Sequence, residues 1–377
     1  ELNQVVLQLI CTHKSSMPMW IEALSGNTND KKSFAATVKS FQRQFKNESM
    51  PYMVMDSAFY TKQNIDECQD IQWVTRVPET VGEVKSRYKT IDTEQMTDAG
   101  NGYRFLPVHS TYGGVKQRWL IVHSEHAYTR EMKTFEKTLE KERSRNEKDL
   151  WHLSNQAFAC EADAETAALK FAKKLRHQRV DYSVLPKPRY TGKGRPAKGA
   201  VPETVDWYIE GSLADDETAI EQSTQRKGKF VLATNELDSA VLSDAQLLEV
   251  YKDQGVTVER GFRFLKDPLF YAESLYLKSP KRIMALLMVM TLSLLMYSLA
   301  EMRIREALKK SDLHIWDQKN RPTQKPTVRW LFMIFEDVLL LSLKKDDAIR
   351  TRSMNIRDEH RIVLESLGRR FKKIYFL

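Results

Sequence analysis

Tyr52-Met53-Val54-Met55-Asp56-Ser57-Ala58-Phe59-Tyr60 is an apolar run that carries a single carboxylate. Its composition reads as a strand over 51–59, with Asp56 near the strand's end, and the helical patterns on either side place that strand in an α/β domain. Some two hundred residues later a second acid stands in an apolar frame, in Val258-Glu259-Arg260-Gly261-Phe262-Arg263-Phe264-Leu265-Lys266. On a helix Glu259, Arg263 and Lys266 fall at i, i+4 and i+7, so one face presents an acid and two cations. An ordinary surface Glu-Arg pair has the same spacing.

Outward from Asp56, residues 1–85 read as strand, strand, helix, strand, helix, strand. Residues 3–12 and 19–24 form a hairpin, residues 33–45 repeat Phe34, Val38, Phe41 and Phe45 at helical spacing, and 71–77 is a further strand. Residues 86–228 change character and read as an α+β insertion, a helical hairpin (129–155 and 162–177) on a small β-sheet with strands at 119–123 and 206–209. Residues 186–198 hold five basic residues and no acid. Their Pro and Gly content argues against helix or sheet pairing and leaves either a solvated linker or a strip along a phosphate backbone, with Arg195 in a minor groove. The α/β pattern returns over 229–310, with a strand at 229–235, a helix starting at Ser243 and another over 256–266. Residues 311–377 are a helical and basic C-terminal region.

The 377 residues support two or three domains. Lys and Arg outnumber Asp and Glu by 59 to 50, and the pI near 9.2 suits a partner of polyanions without proving one. Cys11, Cys68 and Cys160 lie far apart and show neither zinc-ligand nor disulfide spacing, which fits a reducing compartment. Residues 283–300 carry no charge. A buried core helix is expected there, a membrane span being the competing reading.

A phosphodiester resists hydrolysis because charge develops on both the attacking and the leaving oxygen. Divalent ions held by carboxylates offset that charge, and Mg²⁺ prefers such hard oxygen ligands. Two acids on neighbouring elements therefore point to metal-dependent phosphoryl transfer.

Four segments in order resemble the DDE transposases of bacterial insertion sequences, of the insertion-sequence-four type: 54–60, Trp73-Val74-Thr75-Arg76-Val77-Pro78, Phe230-Val231-Leu232-Ala233-Thr234-Asn235 and 258–268. The resemblance implies an RNase H-like mixed sheet flanked by helices and interrupted by an insertion. It implies Asp56 and Glu259 as the second and third acids of a catalytic triad binding Mg²⁺ or Mn²⁺, and Lys266 as a phosphate contact, with Arg263 beside it. Lys193 and Arg195 would add non-specific DNA affinity. Transposon ends and target DNA are the implied partners, a homodimer in a synaptic complex the implied assembly, and a cytoplasmic, DNA-associated setting with no membrane the implied location.

The chain departs from the family pattern twice. The tyrosine and arginine expected seven and four residues before the glutamate are replaced by Lys252 and Gly255, so Tyr251 is assigned to DNA only through a shift of the helix start at Gly255. The first acid of the triad has no counterpart among Glu1, Glu22, Asp30 and Glu48, the acids before Asp56. The expectation is thus an N-terminally truncated transposase, inactive as it stands, with a non-catalytic DNA-binding or inhibitory remnant as the alternative.

Overall fold

Trp119, Leu120, Ile121 and Val122 are all fully buried in succession. In a strand that pattern requires cover on both faces, and the main sheet builds outward from it. The structure, a computed structural model, describes residues 5–13, 15–26, 30–45, 52–190, 201–265, 279–345 and 348–375. In chain order, β1 (Val5–Cys11) and β2 (Pro18–Ser25) lead through α1 (Asp30–Gln42) to β3 (Met53–Met55), α2 (Lys62–Glu67), β4 (Trp73–Val77) and α3 (Gly82–Thr90). Next come β5 (Thr97–Gly100), β6 (Tyr103–Tyr112), β7 (Val115–Ser124), α4 (Glu125–Ser154) and α5 (Glu161–Ala172). The ribbon of β8 (Gln178–Arg189) and β9 (Thr204–Asp215) runs into α6 (Glu217–Thr224), β10 (Lys229–Thr234), α7 (Asp244–Leu265) and α8 (Pro280–Lys310). The C-terminal elements are β11 (Ile315–Trp316), β12 (Pro322–Thr323), α9 (Val328–Phe335), β13 (Leu339–Lys345), β14 (Ala348–Met354), α10 (Asp358–Leu367) and α11 (Arg369–Ile374).

Two units divide the chain. One contains Met55–Tyr60 and Trp73–Ala245, the other Glu1–Val54, Thr61–Gln72 and Gln246–Leu377. A mixed six-stranded sheet in the order β3-β4-β10-β7-β6-β5, flanked by helices, is consistent with an RNase H-like fold. β10 pairs antiparallel with both β4 and β7, setting Val231 opposite Val77 on one side and Ile121 on the other. Gly228 opens β10 at φ +69, and its carbonyl accepts the Ser124 N–H at 2.9 Å.

Beside this sheet, α4 buries Phe135, Leu139, Glu142, Asn146 and Leu150 along one stripe. Its two polar members are satisfied. Glu142 meets His177 Nδ1 at 2.8 Å, His177 Nε2 meets Ser223 Oγ at 3.1 Å, and Asn146 donates to Gln178 Oε1 at 2.8 Å. α5 packs Ala164 and Ala168 against Ile209 of β9, where the small alanines allow close approach to the ribbon.

The ribbon corrects the reading of residues 186–198 over its first four residues, 186–189; residues 191–198 lie outside the described residues. Pro186 and Pro188 lie in β8, opposite Trp207 and Val205. The carbonyl of Arg189 accepts from Glu203 N at 2.9 Å, so Arg189 faces β9 and the two prolines, one and three residues earlier, face outward. A proline costs a strand nothing where no ladder bond is due.

In the other unit, β1 and β2 form the expected antiparallel hairpin. Leu9 packs with Met290 and Leu294 of α8 and with Phe262 of α7. A Cβ on Gly261 would stand 2.8 Å from Leu9 Cδ2, so glycine lets the Leu9 side chain approach the helix closely. Farther along α8, Ile304 and Leu308 join Ile315, Leu331, Ile334 and Val363 in a second core. Glu301 ties α8 to α9: its carboxylate pairs with Arg305 and accepts the Val328 N–H at 3.2 Å, while Arg305 Nε donates to Pro326 O at 3.0 Å.

The expectation that residues 283–300 form a wholly buried helix is corrected. α8 buries a single stripe through Ile283, Leu287, Met290 and Leu294, and only 22% of its most apolar window is covered. Met284, Met288, Leu292 and Met296 are exposed on the opposite side. By length and composition it is the one candidate membrane span among the described residues, and one such helix is weak evidence for a membrane.

Candidate active site

Asp56 lies one residue beyond the short strand β3, so the strand expected over 51–59 ends before the acid. The residue caps a turn of 3₁₀ helix formed by Ser57–Phe59, and its Oδ1 accepts from Ala58 N at 2.9 Å and from Ser57 Oγ at 3.3 Å. The Asp56 carbonyl accepts from Thr75 Oγ1 of β4 at 3.1 Å. The side chain is exposed, and Oδ2 accepts no bond among the described residues.

The turn is anchored just behind the acid. Phe59 is fully buried and packs edge-on against Trp73, with ring centroids 5.8 Å apart. Tyr60 stacks on Tyr112 at 4.7 Å, and its hydroxyl donates to Gln117 Oε1 at 2.7 Å, an oxygen that also accepts from Trp119 Nε1 at 3.0 Å. Burial pushes the Tyr60 phenol far above its ordinary range, so it stays a neutral donor. Trp73 N, at the start of β4, donates to Asn235 Oδ1 at 3.0 Å, which links β4 to the residue after β10. Asp56 thus presents one carboxylate oxygen held by the protein and one left open, on a rigid turn at a strand end. That is donor chemistry suited to a hard divalent cation.

Glu259 and Arg263 lie on α7. The helix runs unbroken through Gly255, which corrects the proposed shift of the helix start. At about 100° per residue, Tyr251 is then rotated by roughly 80° from Glu259 rather than stacked above it. Tyr251 is half-buried. Lys266, Lys193 and Arg195 lie outside the described residues. Among the described residues no three His, Cys, Asp or Glu side chains are grouped as a metal site.

The cysteines take no part. Cys68 is buried and its thiol is pushed up to about 11 by burial, Cys11 likewise to about 12, and Cys160 is exposed.

Sequence reasoning missed a polar cleft of about 610 Å³ lined by Tyr88, Asp92, His123, Tyr128, Lys227 and Lys229. Lys229 is nearly buried and donates to Ile91 O at 3.1 Å. His123 Nδ1 is buried without a partner among the described residues. Burial, then the neighbouring Lys229, lowers the His123 pKa. Nothing in the spacing of these residues, which come from three distant stretches of the chain (88–92, 123–128 and 227–229), signalled the cleft.

Compared with known families, residues 2–296 match a family model described as a transposase DDE domain. No curated protein and no solved structure matches the chain.

Proposed function

The chain belongs to the DDE transposase family, and from that premise we propose that it serves the cutting and joining of DNA in the movement of an insertion sequence of the insertion-sequence-four type. The reading assigns Asp56 and Glu259 as two carboxylates of the catalytic triad and leaves the third unassigned. One strand is hydrolysed at each element end, and the freed 3′-hydroxyl then attacks target DNA. The observation that carries this is the open Asp56 carboxylate on its clamped turn, within the segment that matches the family model.

Asp56 and Glu259 would hold Mg²⁺ or Mn²⁺. When bound, such ions stabilise charge on the attacking and leaving oxygens of an in-line displacement. The chain's own residues supply position: the Ser57 and Ala58 donors fix one Asp56 oxygen, and the Phe59 and Tyr60 anchors keep the turn from yielding to substrate. Lys266 and Arg263 are assigned to phosphates near the element end. Lys193 and Arg195 add sequence-independent attraction. A homodimer holding two ends is the assembly this reading requires.

The test pairs cleavage with DNA retention. In a form of the enzyme whose acid triad is complete, Glu259→Gln and Asp56→Asn each remove a charge while keeping shape, so metal-dependent strand cleavage is expected to fall by roughly a hundred- to a thousandfold, the range seen for charge-stabilising groups. Retention of end DNA on a gel should be little changed. Cleavage at the unmodified rate in either variant would refute the assignment.

A further inference from the structure

One face of β13 is apolar. Leu339, Leu341 and Leu343 lie on one side of the ribbon and Leu340 on the other. All four are exposed, from 44% at Leu341 to 61% at Leu343. Consecutive leucines are the composition of a covered strand. Yet β13 pairs with β14 alone, and its outer edge meets no strand among the described residues. A bare apolar edge of this kind is a template for strand addition.

The charges around the strand indicate what adds to it. Glu336 and Asp337, both exposed, stand at its foot, and exposed Lys344 stands near its tip, with only apolar residues and Ser342 between them. Asp337 lies 3.8 Å from Arg357 in a loose, exposed pair. An antiparallel copy of the same segment would bring the acidic foot of each strand to the basic tip of the other. A parallel copy would set acid against acid.

We propose that β13 pairs antiparallel with β13 of a second copy of this chain. The product is a four-stranded sheet with a two-fold axis near Leu340 and Leu341. Main-chain bonds along the edge supply affinity, the leucines bury one another across the axis, and the foot-to-tip charges set the direction. The inference deepens the dimeric assembly proposed above and rests on that reading only for its setting. It is read without DNA, so its failure is distinct from a failure of the cleavage assay.

The full chain is examined by sedimentation over a concentration series. A reversible dimer is expected, with Leu341→Lys weakening it at least about tenfold by placing two desolvated charges near the axis. Asp337→Lys and Lys344→Glu are each expected to weaken it, and the two together to restore it. In a second arm, Leu340→Cys or Leu341→Cys is oxidised, and a disulfide-linked dimer beyond the level given by the chain's own Cys11, Cys68 and Cys160 supports the pairing. Circular dichroism confirms that each variant is folded, as expected for exposed positions. A chain that stays monomeric at every concentration, or a dimer indifferent to Leu341→Lys, overturns the proposal. So does a charge swap that fails to restore what the single changes remove.

Discussion

His123 is the residue at which burial and charge conflict most plainly. Desolvation is the largest cause of its lowered pKa, Lys229 and Arg104 act in the same direction, and Glu125 opposes them. Its folded pKa lies below the unfolded value of about 6.5, so on acidification the unfolded chain takes up the proton first. Stability is therefore full above about pH 6.5 and is lost as pH falls from there toward the folded pKa. Urea unfolding at pH 8 and pH 5 should show this loss, and His123→Phe should flatten it. An unchanged pH slope in the variant would refute the attribution. The strand that leads to Asp56 was legible as an apolar run, although it stops at Met55, one residue before the acid. His177 was not: its partners Glu142 and Ser223 lie 35 and 46 positions away, and no local pattern announces a bond across such separations.

Elements whose two faces are alike were the easiest to read. β7 and β10 each hold an unbroken apolar run, Trp119–Val122 and Phe230–Ala233, that no helix period fits, and both are strands in the sheet. β5, which spells Thr-Asp-Ala-Gly and is exposed throughout, carries no apolar signal, so pairing with β6 alone makes it a strand. β8 was hidden by its prolines, which are harmless only because of which way they face. At the start of β10, Gly228 is fixed by two constraints. Its φ is positive, and an added Cβ would stand 2.6 Å from Tyr128 Cβ and 2.9 Å from Ser124 O. Gly228→Ala is expected to cost roughly 1–3 kcal/mol in backbone strain and more through the clash, read as a lowered urea midpoint. Glu301→Ala should loosen the packing of α9 on α8. The change leaves the buried Val328 N–H without its acceptor, at a cost of roughly 1–3 kcal/mol, while Arg305, a third exposed, can turn to water.

For the molecule as a whole, the excess of nine positive charges predicts DNA retention that falls steeply with salt. Binding constants measured between about 50 and 200 mM salt should plot as a straight line of negative slope on logarithmic axes, and a flat line would mean that the basic residues do not engage phosphate. One feature of the ribbon bears on how the chain behaves at high concentration. Pro186 and Pro188 turn their ring nitrogens outward along β8, so that stretch of edge offers no N–H to an incoming strand. β13 carries no such block. A molecule with two receptive edges can polymerise without end, each copy recruiting the next, whereas prolines that silence one edge remove a route to fibrils and leave the other free for pairing that closes on itself.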